Sequence, residues 1–136
     1  MFENINEISV LVAAILAAAV GSIWYSPLLF GSVWTKSARL TEEEIELSKK
    51  QMISATVKGI SAQVVFFFVI AKYITLSNQN SISVWSFGGI LVMLLVTHML
   101  QSVIWEKRSI AYFCIQIGYT ALSVFGGAAI ISFWPW

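Results

Sequence analysis

The stretch from Ile8 to Phe30 contains no charged residue. As a helix rising 1.5 Å per residue it would reach about 34 Å, enough to cross the hydrocarbon of a bilayer. Two further runs, Val84 to Ile104 and Ile110 to Trp134, are equally free of Lys, Arg and Glu. A fourth is diluted at its start by Thr56, Lys58, Ser61 and Gln63, yet Gly59 to Leu76 still supplies a crossing length, with Lys58 and Lys72 placed to snorkel toward opposite faces. With 58% of the 136 residues hydrophobic and 11% charged, a water-soluble globule could not hide so much apolar surface. Continuous apolar runs also exclude a transmembrane barrel, whose strands are about 10 residues long and alternate in polarity. The expected fold is an all-α membrane protein. Four transmembrane helices, at approximately 8–30, 56–76, 84–104 and 110–134, form one bundle and one domain over 1–136, with a short amphipathic cytoplasmic helix between the first and second.

The basic residues orient this bundle. Seven of the eight Lys and Arg (Lys36, Arg39, Lys49, Lys50, Lys58, Lys107 and Arg108) flank the first and third loops, and Lys72 alone lies near the second. Basic loops stay in the cytoplasm, so the reading is a multi-pass protein of the cell (inner) membrane with both termini outside. Trp34 and Trp105 then fall at the inner interface, and Trp85, Trp134 and Trp136 at the outer one, as an aromatic belt. The start Glu3-Asn4-Ile5-Asn6-Glu7 is acidic and polar, unlike the basic beginning of a secretory leader, so the first run is expected to remain in the mature chain. In the first loop Thr41-Glu42-Glu43-Glu44 has the spacing of a capping box, which predicts a helix from Thr41 to about Gln51.

The end of the first span carries the string Gly21-Ser22-Ile23-Trp24-Tyr25-Ser26-Pro27-Leu28-Leu29-Phe30-Gly31-Ser32-Val33-Trp34. It resembles the signature of the domain of unknown function 1761 family: a glycine, Trp-Tyr-Ser-Pro, Phe-Gly and a Trp, followed by a short polar stretch such as Leu40-Thr41-Glu42-Glu43. The string Glu106-Lys107-Arg108-Ser109 leading to Gly118-Tyr119 is similar to the family's looser C-terminal part. The resemblance implies a four-span membrane fold and carries no established activity, substrate or catalytic residue. From its residues alone, Pro27 is expected to kink the first helix while Trp24 and Tyr25 anchor the inner interface; a role in gating or in lining a pocket is the alternative.

All four spans place hydrogen-bonding side chains in the leaflet nearer the basic loops. Tyr25, Gln63, His98, Gln101 and Gln116 fall within about 9 Å of that interface, and Tyr119 lies nearby. His98 and Gln101 are three apart, and Tyr112, Gln116, Thr120, Ser123 and Gly127 share one helical face. Small residues concentrate in the other half, at Gly88-Gly89 and Gly126-Gly127-Ala128-Ala129, where they let backbones approach. The polar layer is either glue between helices or a cytoplasm-facing pocket in which His98, Gln101, Gln63, Gln116 and Tyr25 hold a ligand.

Specific chemistries find little support. One His and one Cys fall short of a catalytic zinc site, so no metal is expected, and no cofactor either. Serine hydrolysis lacks an Asp and a nucleophile elbow, and there is no phosphate-binding glycine loop. Cys114 reads as a packing residue. A net charge of +1 gives no field for nucleic acid. The partners expected are the lipid bilayer and a second copy or another membrane protein, with any small-molecule ligand unidentified. The sequence favours a non-enzymatic accessory or assembly protein. The alternative is a small-solute binding or transport protein with a polar pocket around His98, and a membrane enzyme comes last.

Overall fold

The computed structural model describes residues 5–77 and 83–135. Its helices are α1 (Glu7–Trp24), α2 (Gly31–Ser37), α3 (Glu42–Lys50), α4 (Met52–Ser77), α5 (Val84–Trp105) and α6 (Ile110–Ser132), and the described residues contain no strand. α1, α4, α5 and α6 are each long and apolar enough to cross a membrane. The polar starts of three of these helices are set by short side chains that accept from the first turn: Asn6 from Ser9 N, Ser83 from Trp85 N and Ser109 from Tyr112 N. The capping box of the first loop forms as its spacing predicts, with Thr41 and Glu44 capping each other's backbone at the start of α3. Met1–Asn4 and Trp136 lie outside the described residues, so the expectations attached to them do too.

The first span differs from expectation. Instead of a kinked helix from Ile8 to Phe30, α1 ends at Trp24, and residues 25–30 form a hydrogen-bonded turn. The cause is Pro27. In a continued helix its ring would meet the Ile23 carbonyl, which it also could not serve as donor. That carbonyl accepts instead from Ser26 N at 3.1 Å and Ser26 Oγ at 2.7 Å. The turn closes with Phe30 N donating to Trp24 O and Gly31 N to Ser26 O, 3.1 and 2.9 Å. A Cβ on Gly31 would strike the backbone of Tyr25 and Ser26, so only glycine fits there. The short α2 that follows is additional to the expected elements. It ends in a left-handed cap at Arg39 (φ 55°), with Leu40 N donating to Thr35 O and Arg39 N to Lys36 O.

α1 packs on α4 and α6, α6 also carries α2, α4 and α5, and α5 rests on α6. The buried core is small on one side and bulky on the other: Ala13, Ala14 and Ala17 of α1 against Phe67, Ile70 and Ile74 of α4 and Ile131 of α6. Lipid is as apolar as these side chains, so close packing and interhelical hydrogen bonds hold the helices together. Phe67 is fully buried with its ring on Gly127, where any Cβ would overlap it. Gly88 likewise meets the Phe125 ring, whereas Gly89 and Gly126 face open space, so one glycine of each expected pair makes the close approach.

Candidate functional site

The Trp24 to Trp34 string fastens the end of α1 to α6. Trp24 Nε1 donates to the Ile115 carbonyl at 3.1 Å, and its ring lies over Gly118, where a Cβ would come within 2.8 Å. Tyr25 donates to Gln116 Oε1 at 2.6 Å, and Gln116 Nε2 donates to the Tyr112 hydroxyl at 3.1 Å. Trp34, on α2, stacks on Tyr112 and meets Tyr25 edge-on. A second link lies beside the first: Gln63 Nε2 of α4 donates to the Tyr119 hydroxyl at 3.3 Å, which donates in turn to the Ala17 carbonyl of α1 at 3.1 Å. Gly21 leaves room for Tyr119, whose hydroxyl lies 3.0 Å and whose ring lies 3.1 Å from where a Cβ would stand.

The six residues of the expected layer therefore divide. Tyr25, Gln116, Gln63 and Tyr119 are bonded across α1, α4 and α6. His98 and Gln101 are exposed on α5 and make no hydrogen bond among the described residues. They line a cleft of about 320 Å³ between α5 and α6 together with Tyr112 and Gln116. Tyr25 does not line it, but holds Gln116 from behind. Gln63 and Tyr119 line a second cleft, of about 330 Å³, between α4 and α5 with α6 as its floor.

Ser102, Trp105 and Glu106 also line the first cleft and were not singled out for it by the sequence. The signal was present for two of them, because 98, 102 and 105 repeat at i, i+4 and i+7 on one helical face. Arg108 follows in the basic turn beside the cleft's Glu106. It pairs with Glu106 at 3.3 Å, lies over the Tyr112 ring at 5.6 Å, and donates to the Ala38 carbonyl at the end of α2. A cation there suits the carbonyl end of a helix. It also brings the first and third loops, which hold most of the basic residues, to the same end of the bundle.

Four membrane-crossing helices with a short helix pair after the first define a multi-pass membrane protein. Residues 8–132 match the model of DUF1761, a protein family of unknown function, and the chain belongs to that family. No curated protein and no solved structure matches it.

Proposed function

We propose that the protein binds a small solute in the cleft between α5 and α6, and that the basic end onto which this cleft opens faces the cytoplasm. The supporting observation is the unengaged pair His98 and Gln101, set across from Tyr112 and Gln116 in one concavity. Polar side chains at membrane depth normally face a bundle interior or a water-filled cavity, and an ionisable one there marks a functional position. A volume of about 320 Å³ stands at the lower end of the range that ligand pockets occupy. His98 and Gln101 supply donors and acceptors free to turn toward a ligand, while Tyr112 and Gln116 are held in place by Trp34 and Tyr25. The seven-to-one distribution of Lys and Arg supports the cytoplasmic assignment.

Native mass spectrometry of the protein in nanodiscs tests this. The intact protein is expected to retain a solute, and His98→Phe to keep the fold and lose the solute. Retention unchanged in that variant, or a folded wild type that carries nothing, contradicts the reading. A second reading, assembly with another membrane chain or copy, is favoured by the same exposure of His98 and Gln101 on a helix that packs mainly along one side. A fixed complex whose formation depends on these two residues would select it.

A further inference from the structure

We infer that the solute is a single-chain amphiphile with an uncharged, hydrogen-bonding head, whose tail passes Met99 into the second cleft; this rests on the solute-binding reading above. The two clefts are near-equal in volume and share Met99 as a lining residue. α6 floors both without a break, from Tyr112 and Gln116 in the first to Thr120 and Val124 in the second, a path of about 18 Å along the helix. Together they form a groove running from the end that bears the basic turn toward the middle of the bundle.

The groove changes character along its length. In the first cleft His98 and Gln101 have open hydrogen-bonding capacity, no Lys or Arg lines the wall, and Glu106 is balanced by Arg108. An uncharged polar head fits that set better than a phosphate or an ammonium. In the second cleft Ala62, Phe66, Leu95 and Val124 are apolar. Three of the polar groups there are already engaged, Gln63 Nε2 on Tyr119, Tyr119 on the Ala17 carbonyl, and Thr120 on the Gln116 carbonyl at 2.8 Å, and the Ser123 hydroxyl, which has no such partner among the described residues, is buried. The surface left for a ligand is mostly hydrocarbon, which suits an alkyl chain. Met99 at the junction is unbranched and has three rotatable bonds, so it can move aside for a chain and fill the gap without one. The head would then lie near Trp105, an interface residue by its position, and the tail deeper, the orientation of a lipid in that leaflet.

Lipid and cleft are similarly apolar, so the position of the tail is a sharper readout than affinity. The probe is a monoacylglycerol carrying a diazirine at its chain end, photolysed with the full-length protein in nanodiscs and mapped by peptide mass spectrometry. Adducts are expected on Phe66, Leu95 or Val124. Met99→Trp, and independently Leu95→Trp should the first fold poorly, are expected to cut labelling at Phe66 and Val124 by about tenfold or more, a free-energy change above about 1.4 kcal/mol. Adducts confined to lipid-facing positions such as Met93 and Leu94, with a solute still retained in the first cleft, overturn the amphiphile while leaving the solute reading intact. A folded protein that retains no solute of any kind overturns both.

Discussion

The Tyr25 hydroxyl sits 2.6 Å from Gln116 Oε1, and through this bond the turn that ends the first membrane helix grips the last one. The same glutamine donates to Tyr112 and lines the α5–α6 cleft, so one side chain belongs both to the scaffold and to the candidate site.

Tyr25→Phe removes one donor and leaves the Gln116 carbonyl oxygen unpaired. Interhelical hydrogen bonds in membrane bundles average about 0.6 kcal/mol and reach about 1.7, so a loss in that range is expected. Unfolding in bicelles checks it. In a double-mutant cycle with Gln116→Leu the two losses should be clearly less than additive, because both act on one bond.

Gly127→Ala should destabilise by about 1–3 kcal/mol, since its Cβ drives into the buried Phe67 ring. Gly126→Ala, one residue away with nothing near its Cβ position, should be neutral or slightly stabilising. Equal effects of the two in the same unfolding assay would contradict the α4–α6 packing described above.

Much of this bundle is written plainly in the chain, and some of it is not. Uncharged runs mark four crossings because lipid admits little else, and Thr41 with Glu44 marks α3 because its caps are local. The end of α1 escapes hydropathy, because residues 25–30 carry no charge and Leu28, Leu29 and Phe30 prolong the apolar run. Pro27 was the one local sign, and it produces a turn where a kink was expected. The site divides the same way. Helical phase groups Tyr112 with Gln116 and His98 with Gln101. It cannot say that α1 and α4 would take up Gln116 and Tyr119 while His98 and Gln101 stay open, since that depends on which helices pack together.

At the start of α3, Glu44 accepts from Thr41 N at 2.8 Å and Thr41 Oγ1 at 3.1 Å, and these bonds hold its carboxyl below the usual carboxylate range. A group whose folded pKa is depressed stabilises above its unfolded value and loses that contribution as pH falls through the folded one. The protection of α3 amides, taken relative to their intrinsic exchange rate at each pH, should therefore fall as the pH drops below the ordinary carboxylate range. Glu44→Gln should flatten that dependence, and Thr41→Ala should cost about 1 kcal/mol of helix stability at neutral pH.

The most direct test of the central claim, that the α5–α6 cleft is a watery site open to the cytoplasm, is the reactivity of Gln101→Cys in a Cys114→Ala background toward a charged, membrane-impermeant maleimide, compared between inside-out and right-side-out vesicles. Reaction in inside-out vesicles alone is expected, with Met93→Cys, exposed on the same helix, unreactive in both. A position 101 thiol that reacts from neither side, or from the outside alone, would contradict the account.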